Sequence, residues 1–500
     1  MAETSQIRHL FKNVGILSMT RAFEFMVGLV RIKLSALLLG VKGVGIVDQF
    51  TFFAQQSAMF SIMSLNEGLV KQISESNDVT KIKASTNTAL KCYMILVGVF
   101  TFGCCSLMFY LSSSGTRFLF GADEFKYIYY LAIVCLPLLV MNSIPYALLK
   151  AFKGTAEIAK ARMISVSINV AILIPMILVW GLDGVIISIV CSYFVILAVN
   201  YHFARDSYLK KLEISFTSVF SAPISRDNFL ELLLFAGFGA SVGVFSIVSE
   251  FLIRNLLIDS LGVEAIGLYS PIIAFASIFM SVVTPALSTY LYPRFCEFTS
   301  DMAVNELINI GLRVTTLIIT PFILLAIPMR YFFIEALYSK EFIAAGDLLP
   351  IHFLGLVFYI WWFVLSQSLA PTGRIKAHGV MLMVSLLFNI LVVYFMVESW
   401  GLQSYALRYL LGPVFLVVLY FSFARNEMGF RLSGENRSLM IGAFVVSLLS
   451  VCMSFYLHST AKEVLIGLIL IFIFSFLVSD SEKLFIKNKL EVVKSRFWQH

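Results

Sequence analysis

Fourteen stretches of mostly apolar residues run through this chain, and they constrain its fold more than any other feature. They lie near 12–39, 44–70, 86–111, 126–150, 160–180, 182–203, 229–258, 264–291, 305–328, 350–371, 374–397, 401–424, 437–457 and 462–480. A helix needs about 20 apolar residues to cross roughly 30 Å of hydrocarbon. In that medium backbone N–H and C=O groups must be satisfied internally, so only helices or a closed barrel can span it. The runs are long and continuous and lack the alternation of barrel strands. The expected fold is therefore an all-α polytopic membrane protein with about 14 transmembrane helices. Composition supports this, because only 13% of the 500 residues are charged, against about 25% in a soluble domain. Arg8 and Lys12 precede the first run, but no A-x-A-like site follows it, so it reads as a retained helix.

Basic residues orient the spans. With the N-terminus cytoplasmic, the inner loops and both tails carry 25 of the 37 Lys and Arg, the outer loops six and the spans the other six. Basic inner loops facing an anionic leaflet account for the net charge of +7 and require no nucleic-acid partner. The longest connections, near 204–228 and 329–349, are too short for a catalytic domain. No Walker A, G-x-S-x-G or H-E-x-x-H motif and no metal-ligand cluster occurs in the sequence. Cys92, Cys104, Cys105, Cys135, Cys191, Cys296 and Cys452 include no C-x-x-C pair and read as small apolar packing residues. No metal and no cofactor are expected.

The chain repeats itself. At a shift of 220 residues, 163–205 and 383–425 share ten of 43 positions, among them Trp180-Gly181-Leu182 with Trp400-Gly401-Leu402 and Phe203-Ala204-Arg205 with Phe423-Ala424-Arg425. At a shift of 222, Leu39-Gly40-Val41 and Gly45 correspond to Leu261-Gly262-Val263 and Gly267. Both segments fall in the outer turn between the first two helices of a half. Two parallel six-helix repeats are implied, since six is even and both copies enter the membrane in the same sense. The expected organisation is an N-terminal bundle over 1–205 and a cytoplasmic linker over 206–228. A C-terminal bundle over 229–425 follows, then an extra helix pair with a basic cytoplasmic tail over 426–500. Two such halves facing each other across a midplane cavity is a transporter arrangement.

Several charges sit where they are expensive. Arg21, Glu24 and Arg31 share one arc of the first helix, and Glu250 and Arg254 stand at i,i+4 on the seventh. Arg408 lies inside the twelfth. Each costs about 2.5–3.5 kcal/mol at mid-membrane on insertion scales, so all must face protein or water. Structural ion pairs are one reading: Glu24 with Arg21 or Arg31, and Glu250 with Arg254. The other is a shared cationic cavity, with Arg21, Arg31, Arg254 and Arg408 against Glu24 and Glu250. Such a cavity suits an anionic ligand, since the guanidinium fork matches phosphate oxygens, and a neighbouring carboxylate could carry a coupling ion. Lys33 reads as snorkelling, Asp48 and Glu67 as solvated helix ends, and His378 and His458 as interfacial. Arg313 is open between the two readings.

Four stretches carry a family resemblance. They are Leu39–Gly45, Asn66-Glu67-Gly68-Leu69-Val70-Lys71, Ala147–Gly154 and Tyr290-Leu291-Tyr292-Pro293-Arg294. The second is similar to an N-G-x-x-K-Y-x-A pattern and the third to an L-x-K-G-F segment. With the duplicated topology, the chain resembles the polysaccharide exporters of the multidrug/oligosaccharidyl-lipid/polysaccharide (MOP, MATE-like) superfamily, and among them the Wzx-type flippases of O-antigen and enterobacterial common antigen. Glu67 interrupts the usual Asn-Gly pair, Gln72 stands where an aromatic is common, and fourteen helices exceed the family's frequent twelve. The resemblance implies a multi-pass protein of the bacterial inner membrane with both termini cytoplasmic. Its two bundles would form a V that opens alternately to each side. It implies transport of an undecaprenyl-diphosphate-linked oligosaccharide, such as an O-antigen repeat of lipopolysaccharide, to the periplasmic leaflet. A proton or sodium gradient would power the cycle. The implied partners are the lipid-linked oligosaccharide, membrane lipids and other polysaccharide-assembly proteins. Arg21, Arg31, Arg254 and Arg408 would bind the anionic head group, and Glu24 and Glu250 are the coupling candidates. A lipid II or multidrug exporter of the same superfamily is the alternative. A membrane-bound polymerase or glycosyltransferase is a third reading, disfavoured because no long extramembrane loop is present.

Overall fold

The computed structural model describes residues 2–62, 65–74, 79–152, 154–297, 300–457 and 460–478. They form sixteen α-helices with short connections, and no strand occurs among the described residues. The helices are α1 (Ala2–Ile62), α2 (Leu65–Ser74), α3 (Val79–Tyr110), α4 (Ser112–Phe120), α5 (Lys126–Ala151), α6 (Thr155–Ala204), α7 (Phe216–Ser221) and α8 (Arg226–Leu261). Then come α9 (Glu264–Glu297), α10 (Asp301–Ala326), α11 (Arg330–Leu337), α12 (Leu349–Leu369), α13 (Ile375–Trp400), α14 (Gln403–Glu427), α15 (Gly434–Tyr456) and α16 (Thr460–Ser475). Nine segments among the described residues are long and apolar enough to cross a bilayer. Two helices are each divided by a glycine. Gly40 (φ 64°, ψ −169°) splits α1, and Gly181 (φ 55°, ψ −124°) splits α6. Counted this way, the fourteen apolar runs all map onto helical segments of an all-α multi-pass membrane protein.

The same glycines show the duplication in the backbone. Gly262 ends α8 at φ 80°, ψ 170°, close to its counterpart Gly40. Gly401 ends α13 at φ 52°, ψ −133°, close to Gly181. An L side chain is strained in these regions, so each copy places glycine where its backbone must reverse. Serines start three of the long helices. Ser225, Ser300 and Ser433 each accept from a backbone N–H in the first turn of α8, α10 and α15 and satisfy one of the donors a helix start leaves open.

Packing divides the chain into two compact units. The first contains the described residues up to Ser270 with Leu337–Glu341, and the second contains Pro271–Ala336 with the described residues from Phe342 onward. The division falls inside α9 and not at the 206–228 linker, because α8 is held by the first copy. Lys71 Nζ lies 2.6 Å from Glu231 Oε1. Gln72 donates to the Asn228 carbonyl at 2.9 Å and to Glu231 at 3.0 Å, and Asn255 donates to the Phe118 carbonyl at 2.9 Å. The glutamine that departs from the family's aromatic thus tethers the second copy's first helix.

The core of the first unit gathers Phe50, Tyr93, Tyr129 and Cys135 from α1, α3 and α5, all essentially buried. In the second unit Phe275, Phe322 and Phe353 pack with ring centroids 5.2–6.0 Å apart. Large side chains such as Phe102, Phe109 and Phe395 are exposed, as a lipid solvent allows. The added pair α15–α16 is an integral part of the second unit. Gly467 of α16 is so close to the Leu324 carbonyl of α10 that a Cβ there would stand 2.5 Å from the oxygen. Arg330, counted in sequence as an outer-loop charge, is 2% exposed. Its Nη2 donates to Glu463 Oε1 at 3.3 Å and to the Ser454 carbonyl at 3.1 Å, and its Nη1 to the Ile327 carbonyl at 3.0 Å.

Candidate functional site

The first turns of the two copies meet within the first unit. A Cβ on Gly45 would stand 2.4 Å from the Val263 carbonyl oxygen and 3.0 Å from Gly267 N. A Cβ on Gly267 would stand 2.0 Å from the Val41 oxygen and 2.9 Å from Gly45 N. These contacts are reciprocal under the 222-residue shift, as a local two-fold relation between the turns demands. Only glycine permits such an approach of two backbones. The repeat thus contains its own contact point, and the two sequence glycines are its two halves.

Residues equivalent under that relation face each other, so a conserved charge would repel itself. Lys42 and Glu264 occupy the same repeat position with opposite signs, and Lys42 Nζ lies 3.9 Å from Glu264 Oε1. Glu124 lies at the same distance from Lys42. All three are well exposed, so these pairs register the contact and add little energy.

Deeper in the same unit, Arg254 of α8 is 7% exposed. Its Nη1 donates to Asp48 Oδ2 and to Gln49 Oε1, both at 3.0 Å. Its Nε faces Glu250 Oε1 at 3.5 Å, and Phe52 lies under the guanidinium at 4.0 Å. The Glu250–Arg254 pair expected from i,i+4 spacing is present, and Asp48 and Gln49 are partners that sequence reasoning missed. Asp48, read from sequence as a solvated end, ties the second half of α1 to α8.

Glu24 has a partner on another helix that sequence reasoning missed. Its Oε1 lies 3.8 Å from Arg162 Nη1 on α6, and Arg162 also donates to the Tyr146 hydroxyl at 3.2 Å. Arg31 is exposed on α1. The side chain of Arg21 lies outside the described residues, as do Lys153 and His458. In the second unit, Arg408 of α14 is 9% exposed between the rings of Tyr405 (5.2 Å) and Tyr409 (4.9 Å). His352 packs against Tyr409 with ring centroids 4.4 Å apart and planes tilted by 43°. Arg313 points to Glu435 and Asn436, each 3.3 Å from Nη1. His378 bonds Tyr420 through Nδ1 at 2.7 Å, so it is held within the helix packing and not merely interfacial. Glu67 is exposed at the start of α2. The structure therefore groups Arg254 with Glu250, and Glu24 with Arg162. No group of three or more metal-ligating side chains occurs among the described residues.

Duplicated helices, glycine turns and charges on the first helix of each copy define a multi-pass membrane protein of transporter fold. The fold is similar to that of the lipid II flippase MurJ in an inward closed conformation, with a TM-score of 0.68 and 15% identity over 92% of this chain and 97% of that one. It is similar to an inward-facing multidrug resistance MATE transporter of the MOP superfamily, with a TM-score of 0.65 and 14% identity over 83% and 98%. A MOP transporter from Pyrococcus furiosus, described by a reversed polarity of its binding pocket, matches at 0.59 and 15% identity over 84% and 96%. A Shigella flexneri protein named "Putative O-antigen transporter" is 20% identical over 400 residues, covering 76% of this chain and 90% of that protein. The profile described as polysaccharide biosynthesis protein matches residues 10–299, and the chain belongs to that family.

Proposed function

We propose that this protein is a flippase that moves an undecaprenyl-diphosphate-linked oligosaccharide from the cytoplasmic to the periplasmic leaflet of the bacterial inner membrane. The observation that carries the reading is membership of a polysaccharide biosynthesis family on a duplicated transporter fold. The O-antigen transporter relative supports a repeat-unit cargo. Both termini are cytoplasmic in this reading, from the asymmetry of basic loops. Two helix bundles open alternately to each side of the membrane, and an ion gradient, of protons or sodium, drives the cycle. The protein makes and breaks no covalent bond.

Arg21, Arg31, Arg254 and Arg408 engage the diphosphate or acidic sugars, since guanidinium and phosphate pair bidentately. Arg254 is held by Asp48 and Glu250, so it becomes available only when that network parts. Glu24 and Glu250 are the coupling carboxylates: protonating either releases an arginine partner, Arg162 or Arg254. The test is complementation of surface polysaccharide by variants neutralised singly at the six positions, with protein levels matched. Loss of polymer at several positions supports the assignment. Intact polymer at all six refutes it.

A lipid II or multidrug exporter is the second reading, favoured by the fold likeness to MurJ and to MATE transporters. Essentiality of the gene with arrested peptidoglycan synthesis would select the former, and drug sensitivity with normal polysaccharide the latter.

A further inference from the structure

A cavity of about 780 Å³ opens in the second unit where α14 ends and α15 begins. Both helices have the length and apolarity of membrane spans, so their connection lies at a membrane interface. Arg425, Arg431 and Arg437 line the cavity together with Phe421, Phe430 and Leu432. No carboxylate lines it, and no ion pair reaches these three arginines among the described residues. Glu435, the acidic residue of the α15 first turn, is drawn away by Arg313 at 3.3 Å.

The walls are built. Gly429 reverses the chain at φ 58°, and the Phe430 N–H returns to the Ala424 carbonyl at 3.0 Å. Two asparagines of α10 hold the connection. Asn305 donates to the Met428 carbonyl at 3.0 Å, and Asn309 to the Arg431 carbonyl at 3.1 Å. Asn309 also accepts from the Ser433 N–H at 3.0 Å and from Asn436 Nδ2 at 3.1 Å. The backbone of the connection is therefore held by neutral hydrogen bonds, and it presents three exposed like charges to one cavity, an arrangement that favours an anion.

The repeat supplies an internal comparison. Arg205, the counterpart of Arg425, also lines a cavity, of about 670 Å³, at the end of α6. There Lys210 is neutralised by Asp206 at 2.7 Å, and Glu213 is part of the wall. The first copy keeps the cavity and cancels its charge, whereas the second concentrates three cations beside an apolar rim.

We propose that the α14–α15 cavity binds the phosphate of an anionic membrane lipid, with the three guanidiniums on the head group and Phe421, Phe430 and Leu432 beside its acyl chains. A free phosphate would use the same cations but has no need of the apolar rim.

The experiment is native mass spectrometry of the purified full-length protein titrated with phosphatidylglycerol, with phosphatidylcholine, and with phosphatidylglycerol plus excess inorganic phosphate. The wild type should retain phosphatidylglycerol over phosphatidylcholine and resist displacement by phosphate. R425Q/R431Q/R437Q should lose on the order of 100-fold in affinity, about fivefold for each arginine. R425K/R431K/R437K should retain most of the binding, and R205Q should leave it unchanged. The single variants R431Q and R437Q carry the test if the triple variant does not fold. Undiminished phosphatidylglycerol binding by folded variants would overturn the proposal, as would equal binding of phosphatidylcholine. Full displacement by inorganic phosphate would overturn the lipid as its source.

Discussion

Adding one carbon at Gly267 should open the contact between the two repeats. In the structure a Cβ at this position stands 2.0 Å from the Val41 carbonyl oxygen and 2.9 Å from Gly45 N. Ordinary contact begins near 3.4 Å, so the two turns must part by more than 1 Å. Both obstacles are backbone, which no rotamer change can move. Overpacking of this kind costs about 1–3 kcal/mol, and about 2 kcal/mol changes the population of the closed contact by about 30-fold. The assay uses K42C and E264C with a short bismaleimide, Cys296 and Cys452 replaced by serine, and a protease site in the 206–228 linker. Cross-linked halves stay together on a denaturing gel after cleavage. Gly267→Ala should reduce the joined fraction, and Gly45→Ala should do the same through the reciprocal contact. Gly28→Ala should not, because nothing lies within 4 Å of a Cβ there. An undiminished joined fraction in both glycine variants would refute the contact as described.

Other predictions concern the ion pairs. Glu463→Gln should destabilise the protein by about 3–5 kcal/mol, because it strands the buried Arg330 guanidinium. Arg330→Met with Glu463→Leu should restore much of the loss in thermal unfolding, and failure of the double variant to improve on E463Q would sink that reasoning. Asp48→Asn should weaken the hold on Arg254 and impair complementation at unchanged protein level; normal polymer would show that the network is dispensable. In the loop after α6, Lys83 Nζ lies 2.9 Å from Glu213, and this hydrogen bond holds the carboxyl below its ordinary value of about 4.5. A lowered folded-state value means that the tether is complete above the unfolded value and is lost as pH falls through the folded one. Limited proteolysis of this loop should therefore accelerate in the wild type only as pH falls below the ordinary carboxylate value of about 4.5, and already at neutral pH in K83Q. Identical cleavage of the two at neutral pH would contradict it.

The fold was legible in sequence because lipid leaves few options and because the repeat keeps its rarest residues. Trp180-Gly181-Leu182 and Leu39-Gly40-Val41 recur where the backbone adopts positive φ, so the identities mark geometry. The Lys42–Glu264 relation could also have been found, since the 222-residue shift places the two at one position with opposite charge. The other partners were hidden by distance along the chain. Asp48 and Arg254 are 206 residues apart, and Arg330 and Glu463 are 133 apart. Loop charge counting treats every loop cation as solvated, which misplaced Arg330: a short connection folded under α15 and α16 is interior. The tie of α8 to the first copy was equally invisible, because Gln72 and Asn228 are unremarkable polar residues until packing joins them.

The central claim is transfer of a lipid-linked oligosaccharide across the inner membrane. Its most direct test is the sidedness of that intermediate in spheroplasts of a strain depleted of this protein. Lipid extracts would be analysed by mass spectrometry before and after digestion with an added, membrane-impermeant glycosidase. Accumulated undecaprenyl-diphosphate-linked repeat units that stay protected on depletion and become accessible on re-expression are the predicted result. Accumulated units that are already accessible without the protein would place the defect after translocation and contradict the account.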